Sequence, residues 1–223
     1  MGNKIISPET YEIYVRWILG DLGKLNKKDY LFKSIIIGII KNYGTKFSLH
    51  SIAKQTEVKT HVTVSDYLDT LQSLVLINLL YQFNYNKKIP LFRKKKKSYF
   101  LDPFLFSVFN GYTLGKYQDY SFENKASLVE GIVCEALARR VRQDLDISSN
   151  LWFFTKKKET DFVLQQDKKI LGIEVKYQNK VTKSDFNNYA IFKKRILLST
   201  NDYEFIKEKN MLIIPVSLFL AIV

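Results

Sequence analysis

The segment between residues 151 and 177 limits the choice of fold more than any other part of the chain. Three stretches bounded by polar turns predict strands, at residues 151–155, 160–165 and 170–177. Strands joined by such short turns pair antiparallel, so the segment predicts a β-meander. Side chains alternate along a strand, so Glu174 and Lys176 share one face of the last strand and Val175 points to the other. Asp161 starts the middle strand, beside that face.

Apolar residues at helical spacing predict helices ahead of this meander, at residues 11–22, 28–43, 48–55, 60–76 and 126–142. Ser48 and Thr63 are the expected N-caps of the third and fourth helices. Strand-like segments follow at residues 77–85 and 98–101, and residues 84–97 form the expected wing. Three helices followed by two strands is the order of a winged helix-turn-helix.

The length of 223 residues is enough for two domains. We expect a linker helix at residues 1–26, a winged-helix DNA-binding domain at 27–118 and a mixed-sheet domain at 119–223. An aromatic-rich connection at 103–120 would join the last two. The apolar residues 211–223 are too few for a membrane span, so they predict a buried strand and a short helix. The expected fold class is therefore α+β or α/β.

The chain is basic, with 35 Lys and Arg against 22 Asp and Glu, a net charge of +13. A field of this sign attracts polyanions, which makes DNA the first candidate partner; a lysine-rich surface that serves only solubility is the alternative. The single cysteine, Cys134, excludes an internal disulfide and a cysteine zinc site. The N-terminus does not resemble a signal peptide. We therefore expect a cytoplasmic protein without a membrane partner.

Candidate nucleic-acid contacts lie beside the fourth helix and in the wing: Lys59, His61, Ser65, Lys87, Lys88, Arg93, Lys94, Lys95, Lys96 and Lys97. Cations near phosphates bind DNA by releasing counterions, whatever the base sequence. Asp66 and Asp69 on the fourth helix oppose phosphates, so base-specific contacts are not expected. The lysines can instead protect an edge strand, and many winged helices bind proteins.

Four residues are candidates for chemistry: Glu130, Asp161, Glu174 and Lys176. Carboxylate oxygens hold Mg²⁺ or Mn²⁺, and an ammonium group can orient water or offset developing charge, which suits phosphodiester hydrolysis. Glu130, Asp161 and Glu174 would be the metal ligands. A Glu-x-Lys pair in a strand can equally be an exposed ion pair. Glu130 can equally occupy the first turns of a helix simply because the helix dipole favours an anion there.

These residues resemble the motif of PD-(D/E)XK nucleases: a helix glutamate at Glu130, then Asp161, then Glu174 and Lys176 two apart on a strand. The resemblance implies a restriction-endonuclease-like mixed sheet and metal-dependent cleavage. Thr160 stands where the motif name has proline, a position at which the superfamily is loose.

A wider pattern is similar to the C-terminal region of archaeal-type AAA-class ATPases. It is carried by Tyr14-Val15-Arg16-Trp17 with Gly20-Asp21, Thr63-Val64 with Tyr67-Leu68, Lys96-Lys97 before Tyr99-Phe100-Leu101-Asp102-Pro103, Leu128-Val129-Glu130, and Glu174-Val175-Lys176-Tyr177. This resemblance implies a winged helix joined to a nuclease-like domain, with an ATPase module or another protein as partner. The sequence has no phosphate-binding loop, so ATP hydrolysis is not expected of this chain. It would be a detached C-terminal part or a stand-alone relative.

Two functions remain open from sequence. One is a DNA-binding, Mg²⁺-dependent nuclease or nuclease-like module. The other is a non-catalytic scaffold, in which the winged helix binds DNA or a partner and the acidic residues serve structure. Convergence of the three carboxylates beside an open groove favours the first.

Overall fold

The computed structural model describes residues 6–120, 125–142, 150–166, 169–187 and 189–223. Within them the chain is a mixed α+β protein with seven α-helices and one eight-stranded mixed sheet. The helices are α1 (Pro8–Lys24), α2 (Asp29–Lys41), α3 (Leu49–Gln55), α4 (His61–Ser73), α5 (Pro103–Leu114), α6 (Lys125–Arg142) and α7 (Val216–Ile222). The strands are β1 (Ile77–Asn84), β2 (Ile89–Phe100), β3 (Leu151–Thr155), β4 (Glu159–Gln166), β5 (Lys169–Val175), β6 (Lys194–Ser199), β7 (Glu204–Ile206) and β8 (Met211–Pro215).

The sheet runs in the order β2-β1-β3-β4-β5-β6-β8-β7. Strands β3, β4 and β5 pair antiparallel, which confirms the meander expected from sequence. Strands β5, β6 and β8 are parallel to one another, and the short β7 closes the edge antiparallel to β8. A parallel pairing of β1 with β3 joins the first hairpin to the meander. One sheet therefore runs through both parts of the chain.

Two cores lie on opposite faces of this sheet. On one face, α6 packs Val133 and Leu137 over Phe162 and Ile173. On the other face, Trp152, Val163, Phe186 and Phe192 form a second cluster without a covering helix of the described residues. Because side chains alternate along β5, Ile173 and Val175 pack toward α6, while Glu174 between them points to the opposite face.

The capping residues explain where the helices of the first half begin. The Ser48 hydroxyl accepts from the Ser51 backbone N–H, and the Ser51 hydroxyl accepts from the Ser48 backbone N–H. This capping box starts α3 at the expected residue. Helix α4 is capped by Thr60, whose hydroxyl accepts from the Thr63 N–H. The expectation that Thr63 is the cap was wrong by one turn, because residues 61 and 62 already have helical geometry.

Residues 103–114 form a helix where the sequence had predicted only a connection. The signals were present: Asp102 caps the Phe104 N–H, Pro103 occupies the first turn, and Gly115 ends the helix at a φ of 72°. Aromatic residues around the whole helix hid its periodicity. Tyr11 of α1 stacks on Phe104 with ring centroids 5.1 Å apart, so the N-terminal helix packs on α5.

The first hairpin differs from the expected wing. Strand β2 spans Ile89–Phe100, so residues 93–97 lie within the span of a strand and not in a hairpin loop. Tyr81 of β1 pairs with Lys96, but the next residue, Gln82, pairs with Leu91. Residues 92–95 are therefore looped out of the ladder, and we call them the β2 bulge.

The C-terminal residues form strand β8 followed by helix α7, as the apolar pattern predicted. Among the described helices, none combines the length and the apolar character that crossing a membrane requires.

Candidate functional site

Asp161 and Glu174 lie next to each other on strands β4 and β5. The antiparallel register pairs Phe162 with Ile173, so these two carboxylates occupy the following position of the same ladder. Asp161 Oδ2 accepts a hydrogen bond of 2.9 Å from the Val175 backbone N–H. Only 8% of Asp161 and 4% of Glu174 is exposed. The pairing holds two buried carboxylates side by side at the end of the hairpin.

Lys176 follows β5 and joins this pair. Its ammonium group donates to Glu174 Oε1 at 2.6 Å, and its backbone N–H donates to the Leu198 carbonyl at 2.8 Å. The first contact shows that Glu174 and Lys176 share a face, as the alternation predicted. Burial, and secondarily the charge of Asp161, raises the pKa of Glu174 to about 8 despite the adjacent lysine. Glu174 Oε2 is buried and accepts no hydrogen bond from the described residues.

Lys97 lies among the other carboxylates. It is 1% exposed, and its ammonium group donates to Glu130 Oε1 and to Glu159 Oε1, the second at 2.8 Å. It also lies 3.5 Å from Asp161 Oδ1. Burial disfavours the ammonium form, but the three carboxylates outweigh it and raise the pKa of Lys97 above its usual value. Lys97 is therefore a fixed positive charge at the centre of the site.

Glu130 reaches this cluster from helix α6. Its Oε1 accepts from Lys97 and from the Tyr99 hydroxyl. Burial and the charge of Asp161 raise the pKa of Glu130 to about 7. The next residue is Gly131, where a Cβ would lie 2.2 Å from the Tyr43 hydroxyl. Only glycine lets α6 come this close, so Gly131 sets the depth at which Glu130 enters.

Glu159 is a fourth carboxylate of the site that the sequence reasoning missed. Lys46 Nζ lies 2.8 Å from its Oε2, while Lys97 holds its Oε1. Burial opposes ionisation, but these two lysines lower the pKa of Glu159. Its signal was the spacing of two from Asp161 on one strand, which puts both side chains on the same face. Lys97 had no such signal, because only the hairpin register carries it to the acidic residues.

A pocket of about 410 Å³ opens beside the two central carboxylates. It is lined by Lys158, Glu159, Asp161, Glu174, Lys176, Ser184, Asp185 and Asn187. The wall that carries Ser184, Asp185 and Asn187 approaches because Gly172 has no side chain: a Cβ there would lie 2.9 Å from Phe192 and 3.0 Å from Phe186. Asn187 donates to the Glu159 carbonyl and anchors the wall to β4.

The donor set of this pocket suits a hard divalent cation. Asp161 and Glu174 supply carboxylate oxygens, and the buried Glu174 Oε2 lacks a donor. Mg²⁺ is held by one or two carboxylates and keeps several waters. Glu130, expected as a third ligand, has its Oε1 engaged by Lys97 and Tyr99. Within the described ranges, no three His, Cys, Asp or Glu side chains are grouped as a metal site would need.

The candidate nucleic-acid residues fall into two sets. Eight are exposed or half-buried: Lys59 just before α4, His61 and Ser65 in its first turns, Lys87 and Lys88 in the hairpin turn, and Arg93, Lys94 and Lys95 in the β2 bulge. Of these eight, only Ser65 is half-buried. The His61 ring lies against that of His50, with centroids 4.4 Å apart.

The other two, Lys96 and Lys97, are 4% and 1% exposed. The expectation that they contact phosphates was wrong, because both ammonium groups are engaged inside the protein. Lys96 donates to the carbonyls of Phe92 and Lys94, and Lys97 binds the carboxylates. Lys97 therefore belongs to the acidic site and not to the exposed surface on which the sequence predicted it.

Two family models match the chain, and both describe domains of unknown function. DUF8612 matches residues 14–114, and DUF4143 matches residues 125–219. The second is a domain found at the C-terminus of AAA-ATPase-like proteins, which agrees in this coarser sense with the resemblance drawn from sequence. No curated protein and no solved structure gives a significant match.

Proposed function

We propose that the chain is a DNA-binding, Mg²⁺-dependent nuclease module whose active site is the pocket beside Asp161, Glu174 and Lys176. The observation that carries the proposal is the position of these three side chains. Two buried carboxylates lie side by side on β4 and β5, and an ammonium group is 2.6 Å from one of them, at an open pocket. An ordinary sheet ladder gains nothing from two adjacent buried carboxylates, since burial of like charges is costly.

Each residue has a distinct task in this proposal. Asp161 and Glu174 hold the metal ion, which when bound supplies Lewis-acid stabilisation of the phosphate and a more acidic water. Lys176 keeps its proton on Nζ and offsets charge that develops on the phosphate oxygens. Lys97 fixes Asp161 and Glu130 by its contacts and balances their charge. Glu130 as a metal ligand stays a prediction.

DNA binding would be the task of the first half. The order α2, α3, α4, β1, β2 is that of a winged helix-turn-helix, and the exposed lysines of the hairpin supply cations for phosphates. The match of residues 125–219 to a domain found at the C-terminus of AAA-ATPase-like proteins supports a relation to such ATPases, with an ATPase module as a further partner.

One observation favours a second candidate, the non-catalytic scaffold. Lys97 already satisfies Glu130 and Glu159, and Lys176 already pairs with Glu174, so most of the acidic charge is compensated by the protein itself. In this alternative the cluster joins β2, α6 and the meander, and the first half binds DNA or another protein.

A cleavage assay separates the two candidates. The full chain is incubated with linear, single-stranded and branched DNA in Mg²⁺ or Mn²⁺, alongside Asp161→Asn and the matched control Glu12→Gln. Glu12 forms an exposed ion pair with Arg16 on α1, away from the carboxylate cluster. We expect cleavage by the wild type and the control, and a loss on the order of 100-fold or more in Asp161→Asn. If the wild type cuts no substrate and binds no Mn²⁺ in calorimetry, the scaffold is the better description.

A further inference from the structure

The β2 bulge is a built feature of the hairpin. The ammonium group of Lys96 turns back on it and donates to the Phe92 carbonyl at 2.6 Å and the Lys94 carbonyl at 3.3 Å. Lys96 is also held at its backbone, which exchanges two hydrogen bonds of 2.9 Å with Phe47. A buried lysine thus takes the place of the ladder bonds that residues 92–95 lack, and it fixes the shape of the bulge.

The bulge exposes an aromatic ring next to three cations. Phe92 is 57% exposed, and Arg93, Lys94 and Lys95 beside it are all exposed. The Phe92 ring packs edge-on with Tyr81 at a centroid distance of 4.8 Å, and the Lys96 ammonium lies 5.3 Å from the Tyr81 centroid. Contact with Tyr81 therefore fixes the position of the Phe92 ring while more than half of its surface is exposed to solvent. Solubility explains the three cations but not an exposed phenylalanine directly before them.

We infer that the β2 bulge is a binding site for single-stranded DNA, in which Phe92 stacks on an unpaired base and Arg93, Lys94 and Lys95 contact the flanking phosphates. This inference rests on the proposed function and specifies its substrate class. In a duplex each base face is covered by its neighbours, whereas a single strand offers faces on which an aromatic side chain can stack. One aromatic ring next to three cations provides a stacking surface for a base and contacts for the neighbouring phosphates of such a strand.

The position of the bulge on β2 connects it to the proposed active site. Lys96 and Lys97 follow the bulge directly, and Lys97 Nζ lies 3.5 Å from Asp161 Oδ1. Residues rise by about 3.3 Å along a strand, so the last bulge residue and Lys97 are separated by only ~7 Å of backbone. A DNA single strand bound at the bulge is thus held by strand β2, which also contributes Lys97 to the acidic cluster. The substrates that fit are single-stranded DNA and branched DNA with unpaired arms.

The test measures binding without cleavage. Fluorescence anisotropy of the full chain is recorded in EDTA with a labelled thymidine oligonucleotide and with a duplex of equal length. Phe92→Ala is expected to weaken single-strand binding by about 5- to 100-fold, the range for loss of one stacked base, and to change duplex binding by less than about 2-fold. Phe92→Trp keeps an aromatic ring at this position and should retain the wild-type affinity for the single strand. Phe205→Ala removes an equally exposed phenylalanine, 59% exposed, from β7 at the opposite edge of the sheet, and should change neither affinity.

The outcomes separate this inference from the proposed function. If Phe92→Ala keeps wild-type affinity for single strands, or weakens both ligands equally, stacking at the bulge is overturned while cleavage and duplex binding can still be measured. A folded Phe92→Trp protein that loses single-strand affinity as Phe92→Ala does would also overturn stacking at the bulge. If the wild type binds neither ligand, both the inference and the DNA-binding part of the proposed function fail. Circular dichroism of each variant checks that the fold is intact.

Discussion

Lys97 of strand β2 donates a hydrogen bond to Glu130 of helix α6, and the two residues come from the segments matched by different family models. The contact is buried on the lysine side, and Tyr99 donates to the same glutamate oxygen. The positive charge that balances Glu130 is therefore contributed by the first half of the chain.

Replacing this lysine tests how much the fold depends on it. Lys97→Met leaves Glu130, Glu159 and Asp161 buried near one another without their shared cation, so we expect the free energy of unfolding to fall by about 3–5 kcal/mol. Urea denaturation gives the value. Lys95→Met, two residues earlier in the exposed bulge, should change stability by less than about 0.5 kcal/mol.

The charge balance can be checked by a second substitution. Adding Glu130→Gln to Lys97→Met removes one of the stranded carboxylates and should recover part of the lost stability, which is a coupling between the two sites. Strictly additive effects of the two changes would mean that the pair does not interact as its geometry indicates.

Lys176 should affect cleavage and not metal binding. Lys176→Met leaves the carboxylates of Asp161 and Glu174 in place but removes the cation that offsets developing charge, so turnover should fall while Mn²⁺ still binds. Glu174→Gln should weaken both. Calorimetry with Mn²⁺ beside a nicking assay distinguishes the two variants, and a Lys176→Met protein that cuts at the wild-type rate would exclude this residue from the chemistry.

Neutralising the exposed cations of the β2 bulge should flatten the salt dependence of DNA binding. With Arg93, Lys94 and Lys95 changed to Gln, the slope of log affinity against log salt for a single strand should decrease by up to about 2, because up to three counterions are no longer released. Changing the exposed Lys193, Lys194 and Lys207 to Gln removes the same charge elsewhere. Equal slopes in the two triple variants would show that net charge alone governs binding.

Gly172 should be necessary for the wall of the pocket. In Gly172→Ala the new methyl group would meet Phe192 and Phe186, so we expect a loss of about 1–3 kcal/mol in stability and lower cleavage as the wall is displaced. Gly20 is the matched control, since a Cβ there meets nothing within 4 Å on helix α1. Gly20→Ala should stabilise the protein by about 0.4–1 kcal/mol.

The sequence predicted the meander and the pairing of Asp161 with Glu174, because local turns and strand alternation determine both. It did not predict Lys97 in the acidic site. That placement depends on the register of β1 and β2 and on the close approach of α6 at Gly131, which are long-range packing effects without a local signal.

The lysine run shows the same limit from another side. Arg93, Lys94 and Lys95 are exposed, as a basic run predicts, but the next two lysines turn inward. The bulge changes the register between them, and a run of like residues gives no indication of where a ladder is interrupted. Helix α5 was missed for a simpler reason, since its capping residues were readable but its apolar residues surround the whole helix.

The pairing of β1 with β3 has a consequence for how the chain acquires its fold. These strands are about 70 residues apart in sequence, and in the part of the chain that the structure describes they meet through two paired positions, Tyr81 with Trp152 and Gln82 with Phe153. Contacts of such large sequence separation form late and make folding slow. A polypeptide cut between the two segments would leave β1 and β3 each with an open edge, and open edges recruit strands from other molecules. Separately produced halves should therefore aggregate, whereas in the intact chain β1 and β3 pair with each other.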